Sequence, residues 1–141
     1  MGGLYFDPYG LESLMRGLNT KFKDLVNCSE TYNYSHNIVL NGVEVIHGSS
    51  GKHMASWKIN YFPSSDEVVV FHDAYVFADF RRMGIGSLCH EFRLEFAKLS
   101  GASLVLCTVN NDNVAEIKIL KKFGWSVVAA FDYSSMWQKR L

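Results

Sequence analysis

Apolar residues follow two different periods along this chain. Leu11, Leu14, Met15, Leu18, Phe22 and Leu25 recur at spacings of three and four, as on one face of a helix. Asp7 is a suitable N-cap with Pro8 at the first helical position, while Gly10 and Gly17 weaken the segment. Residues 27–36 are polar and read as loop. Strand-like stretches follow. Residues 37–40 and 43–46 flank Asn41-Gly42, a pair that signals a type I′ hairpin turn. Residues 48–51 break the chain, residues 54–62 and 67–77 are strand-like, and Pro63-Ser64-Ser65-Asp66 turns between them. The segments form an antiparallel meander.

Beyond residue 80 strands alternate with helices. Ile85, Leu88, Cys89, Phe92, Phe96 and Leu99 make one apolar stripe, with Glu91, Glu95 and Lys98 facing water and Gly101 as the stop. His90 is expected on the surface of this helix. Residues 103–109 form an unbroken apolar run, as in a strand covered on both faces. Asn110 to Asn113 offer N-caps for a second helix through Lys122, ended by Gly124. Residues 126–131 and 136–141 are the last strands, joined by a turn at 132–135. The order is a helix, a β-meander, then βαβαββ: an α+β domain with a mixed, mostly antiparallel sheet of about six or seven strands flanked by helices.

Composition narrows the function. At 141 residues one domain is expected, large enough to hide roughly two-thirds of its unfolded surface. Lysine plus arginine and aspartate plus glutamate number 14 each, so no basic excess points to nucleic acid. Cys28, Cys89 and Cys107 have no CxxC spacing, and Cys89 and Cys107 lie in apolar runs; buried thiols and a reducing, cytoplasmic setting are expected. The N-terminus lacks the pattern of a signal peptide, and no apolar run is long enough for a membrane span. His36, His47 and His53 fall in loops or at strand ends without paired ligand spacing, so no metal is expected. Cys107, Trp57 and Trp125 are expected in the core.

The chemistry is carried by residues 76–87, where a strand meets a helix N-terminus. The first N–H groups of a helix have no helical partner and the macrodipole is positive there, so the junction suits an anion. Gly84 and Gly86 permit close approach of a phosphate, and Arg81 and Arg82 add charge. Taken alone, the two arginines read equally well as solvated surface charges. A dinucleotide fingerprint needs a third glycine where Cys89 stands, and a P-loop needs Gly-Lys-Ser/Thr. Neither is present.

Arg81-x-x-Gly84-x-Gly86 resembles the acyl-CoA pyrophosphate motif of the GNAT superfamily, Arg/Gln-x-x-Gly-x-Gly/Ala, and Asn113 followed by Phe123-Gly124-Trp125 is similar to that family's Asn…Leu-Gly-Phe ending. Ala78 stands where proline is common. The resemblance covers residues 67–141, and it divides the domain into an acceptor-side half, 1–66, and an acetyl-CoA half, 67–141. It implies transfer of an acetyl group from acetyl-CoA to a primary amine by direct attack in a ternary complex. Val76 and Phe77 would pair with the pantetheine arm at a splay between parallel strands. Backbone N–H groups of Met83, Gly84, Ile85, Gly86 and Ser87 would hold the pyrophosphate beside Arg81 and Arg82, with Asn113 near the pantetheine or the thiol. A backbone N–H near Val76 would hold the oxyanion. Tyr133, Ser134 and Ser135 would line the acceptor pocket.

Two departures stand out. Relatives often carry a tyrosine acid three residues before the Phe-Gly-Trp position, here Leu120, and a glutamate base eleven residues before the motif arginine, here Val70. His72 shares the strand face of Val70 unless a bulge intervenes, and an unperturbed histidine, near 6.5, suits a general base. Asp73 takes that face if a bulge swaps it. These departures keep a second reading open, a CoA-binding module without catalysis. A third is a ligand-free interaction domain forming a homodimer through the last strands.

Overall fold

Residues 53–61 and 68–76 lie near the centre of the sheet and carry much of its buried face. The computed structural model describes residues 10, 12–14, 16, 17, 20, 21, 30–36, 41–47 and 50–141, with backbone only at 30–36, 41–47 and 73. The strands are β1 (Glu30–His36), β2 (Asn41–His47), β3 (His53–Tyr61), β4 (Val68–Val76), β5 (Leu104–Asn110), β6 (Ser126–Ala130) and β7 (Ser134–Arg140); the helices are α1 (Ile85–Leu99) and α2 (Val114–Lys122). The described residues from Gly10 to Lys21 are helical as well. The strands form one sheet in the order β1-β2-β3-β4-β5-β7-β6, antiparallel except for β4 beside β5. The expected α+β class and βαβαββ second half are therefore present.

The hairpin expectation is corrected. Asn41 and Gly42 do not make the turn: they open β2 and pair with His36 and Ser35. Residues 30–36, read as loop, are β1. The segment is polar, but Thr31, Tyr32 and Tyr34 are good strand formers, and a strand at the sheet edge needs little apolar content. The connection at residues 37–40, the helix start at Asp7-Pro8, and Cys28 lie outside the described residues.

One face of the sheet carries the core. Ile59, Val69, Phe71, Val105, Cys107, Val109 and Trp137 pack there with Leu94, Leu120 and Trp125. A second cluster joins Met54, Trp57 and Phe80 to Ile85, Cys89, Phe92 and Phe96 of α1. Full burial of one such Phe or Ile side chain contributes about 1.5–3 kcal/mol. The N-terminal helical segment docks on α1, with Leu14 against the second cluster and Lys21 Nζ 2.6 Å from Glu91.

His90 was expected at the surface and is fully buried. α2 packs beside α1, so the covered face of α1 is wider than its apolar stripe. Arg93 lies on the same added strip and is buried too.

Candidate active site

Two local features open a space in the sheet. β4 carries a bulge after His72: Trp57 alone opposes Asp73 and Ala74, between the pairs Lys58–His72 and Ser56–Tyr75. Val69 and Phe71 face the core before the bulge, and Val76 packs on the core after it, so the parity of the strand switches there. Because the bulge follows His72, Val70 and His72 share one face. The side chain of Asp73 lies outside the described residues. The second feature is a splay. β4 and β5 pair only from Val68–Leu104 to Val70–Leu106. Beyond that point β4 stays with β3 and β5 with β7, so the two parallel strands part.

The junction after β4 is held by local bonds. Phe80 is buried at the end of a single 3-10 turn, Ala78–Phe80. Arg81 Nε donates to the Val76 carbonyl at 2.9 Å, and Nη2 donates to the Tyr75 hydroxyl at 3.0 Å. The backbone then passes through left-handed conformations at Arg82, φ 63°, and Gly84, φ 81°. Such a conformation costs a non-glycine residue on the order of 1–2 kcal/mol. The first helical bond of α1 runs from Leu88 N–H to Gly84 O at 3.1 Å. No side chain caps this end, and the first turn holds no acidic residue. The N–H groups of Ile85, Gly86 and Ser87 are thus left for an anion.

This helix end opens on a cleft of about 620 Å³. Its walls include Ala74, Tyr75 and Val76 of β4, Arg81, Arg82 and Gly84 to Ser87, and Asn113, Glu116 and Ile119 at α2. Gly86 fits closely here: a Cβ there would stand 3.1 Å from Ile119 Cδ1. The cleft meets a smaller recess of about 220 Å³ at the splay, lined by His72, Ala74, Thr108 and Asn110 among others. Ala74, Arg93, Asn113 and Glu116 border both spaces.

His72 is oriented by Asn60. The Asn60 amide nitrogen donates to the Tyr61 carbonyl at 2.8 Å, which turns its oxygen toward His72 Nε2. Nε2 therefore carries the proton and the lone pair of the neutral ring is on Nδ1. Asn113 caps α2, its oxygen accepting from Glu116 N–H at 3.2 Å. Phe77 does not border the cleft, and its N–H already donates to Met54 O at 2.9 Å. Met83 is exposed and borders neither space. Tyr133 is exposed at the β6–β7 turn, and Tyr133 and Ser134 border neither space. Ser135 is buried and donates to Asn111 at 2.7 Å, tying that turn to the start of α2.

Sequence reasoning passed over a buried polar group between the helices. Arg93 Nη2 lies 3.4 Å from Glu116 Oε1 and 3.1 Å from His90 Nδ1, and the indole N–H of Trp125 donates to His90 Nε2 at 2.8 Å. Burial lowers the pKa of Arg93 and, with the charge of Arg93 itself, pushes His90 down to about 3. Burial pushes the thiols of Cys89 and Cys107 up to about 12, so neither is a ready nucleophile. The signal was present in the sequence. Arg93 stands four residues after Cys89 and three before Phe96, within the apolar period.

An uncapped helix N-terminus beside a bulged strand thus opens on a cleft between two diverging parallel strands. The profile of the acetyltransferase (GNAT) family matches residues 22–125, and the chain belongs to this family. No functionally curated protein matches in sequence. Among solved structures, a nourseothricin acetyltransferase superposes with a TM-score of 0.62 at 16% identity, over 72% of this chain and 65% of that enzyme. An acetyltransferase of Bacillus subtilis in complex with CoA gives 0.63 at 13% identity, over 72% and 77%. Ard1 from Thermoplasma volcanium gives 0.58 at 21%, over 70% of each. At these identities the likeness is one of fold, and the chain spans just under two thirds of the nourseothricin enzyme. Among the described residues no helix is long and apolar enough to cross a membrane.

Proposed function

We propose that this chain transfers an acetyl group from acetyl-CoA to a primary amine in a ternary complex, in the cytoplasm. One observation carries the reading: the uncapped N-terminus of α1 opens on a cleft that continues into the recess where β4 and β5 part. The N–H groups of Ile85, Gly86 and Ser87, with Gly84 and Arg82 beside them, take the pyrophosphate. Arg81, bound to Val76 and Tyr75, shapes the loop and adds charge to it. Asn113 and Val76 flank the arm of the ligand, and its thioester reaches the recess. There His72 takes the amine proton. The backbone near the bulge offers N–H groups to the oxyanion, and holding both reactants in one cleft supplies much of the rate. The half formed by residues 1–66 selects the acceptor.

Two measurements test this. Saturating acetyl-CoA at one hundred times its Kd stabilises a fold by about 2.7 kcal/mol, a rise of several degrees in melting temperature, which a Gly84→Glu/Gly86→Glu variant should not show. Thiol release with a panel of amines then tests turnover. Leu120 and Val70, at the positions where relatives keep acid and base, support one other reading, a CoA-binding module without catalysis. That reading predicts the thermal shift with no thiol release for any amine.

A further inference from the structure

Arg93 is a buried cation in the wall of the cleft. Its side chain is 3% exposed, yet it borders both the outer cleft and the inner recess. Its guanidinium stacks 4.8 Å from the Phe71 ring. One anion faces it among the described residues, Glu116, at a long 3.4 Å, and Nε has no hydrogen-bond partner. His90 adds no negative charge. Its Nε2 accepts from Trp125, so a neutral ring carries its proton on Nδ1, toward Arg93. A guanidinium with unused donors is costly to bury, and the cost is recovered when an anion arrives beside it.

The end of the ligand that reaches this point follows from the geometry. The phosphates belong at Gly84 to Ser87, so the opposite end of a linear acyl-CoA enters the splay. We infer that Arg93 holds the thiolate that departs when the thioester breaks. The inference rests on the acyl-CoA reading above. In the step, the amine lone pair forms a bond to the thioester carbon and the amine proton passes to His72. The C–S bond then breaks and its electron pair leaves on sulfur. Arg93 pairs with that thiolate without giving it a proton, and the sulfur is protonated by water after release. Charge stabilisation thus stands in for a hydroxyl acid, which the buried Leu120 does not supply.

The test is the pH dependence of CoA binding, measured by calorimetry against desulfo-CoA, which lacks only the sulfur. The ionisable groups around Arg93 are Glu116 of α2, Cys89 and His90 of α1 and Cys107 of β5; His72 of β4 borders the same recess, and Lys139 of β7 acts on His90. Desulfo-CoA meets all of them, so the ratio of the two affinities isolates the sulfur. Each unit by which binding lowers the thiol pKa of CoA raises the ratio about tenfold, over the pH range between its bound and its free value. The wild type should show this rise, Arg93→Lys should retain part of it, and Arg93→Leu/Glu116→Gln should lose it while still melting cooperatively. A flat ratio in the wild type, with acetyl-CoA still bound, overturns the role of Arg93 and leaves the acyl-CoA reading intact. No binding of CoA, desulfo-CoA or acetyl-CoA overturns both.

Discussion

The Trp125 indole N–H donates to His90 Nε2 at 2.8 Å, and the opposite ring nitrogen of His90 lies 3.1 Å from Arg93 Nη2. Both neighbours are donors only, so an imidazolium would set N–H against N–H on both edges. Desolvation, then the charges of Arg93 and Lys139, hold the ring neutral down to about pH 3.

A stability profile follows from this. The unfolded chain protonates His90 near the ordinary value of 6.5, while the folded chain does so only near 3. The unfolded state therefore binds the extra proton first. The contribution of neutral His90 is complete above 6.5 and is lost as pH falls toward 3. Chemical denaturation should show wild type losing about 3 kcal/mol more than His90→Leu between neutrality and roughly pH 4. Equal losses in the two proteins would show that the ring is protonated without cost.

How much of this was legible in the sequence depends on the kind of residue. The apolar stripe of α1 and the run in β5 predicted their elements because burial on one face leaves a period behind. Gly84 and Gly86 marked the strand-to-helix junction, where Gly84 takes a left-handed conformation and a Cβ on Gly86 would crowd Ile119. β1 escaped because an edge strand can be polar, and Asn41-Gly42 misled because a turn preference yields to strand pairing already set by the neighbours. His90 and Arg93 escaped for a different reason. Arg93 borders the apolar stripe of α1, but a charged residue there reads as solvated; His90 lies farther round the helix, and its burial is set by α2, which packs beside it. The bulge in β4 is likewise a property of pairing between β3 and β4.

The close approach at Gly86 predicts a graded loss of donor binding. A methyl group at this position would meet Ile119 Cδ1 at 3.1 Å and Val76 Cγ2 at 3.8 Å, on opposite walls of the cleft. Gly86→Ala should weaken acetyl-CoA about tenfold, equivalent to about 1.4 kcal/mol, and Gly86→Val further still. Because Gly86 sits in the first turn of α1, the melting temperature without ligand should change little. Calorimetric titration beside a melting curve separates the two effects.

Restoring a tyrosine at position 120 should not restore an acid. Leu120 is fully buried in the cluster of Phe71, Leu94 and Trp125, and it does not border the cleft. A larger ring there overpacks the core at a typical cost of 1–3 kcal/mol, roughly, and brings a hydroxyl with no partner assured. Leu120→Tyr is expected to melt several degrees lower with thiol release no faster than wild type. A faster rate would mean that the new hydroxyl reaches the recess.

His72 is a candidate base, since Asn60 meets its Nε2 and the residue borders the recess. If Nδ1 accepts the amine proton, His72→Gln should keep acetyl-CoA affinity within about twofold and lower kcat by 10²-fold or more, as for loss of a general base. The acid limb of kcat/KM against pH, imposed by the need for a neutral imidazole, should disappear with it. Asn60→Leu supplies the finer test. It leaves the imidazole in place but removes the acceptor for Nε2–H, so the other tautomer becomes accessible and the lone pair can turn away from the recess. It should retain an acid limb while losing part of kcat. If Asn60→Leu turns over at the wild-type rate, the orientation of His72 plays no part in the chemistry, and the proton goes directly to water.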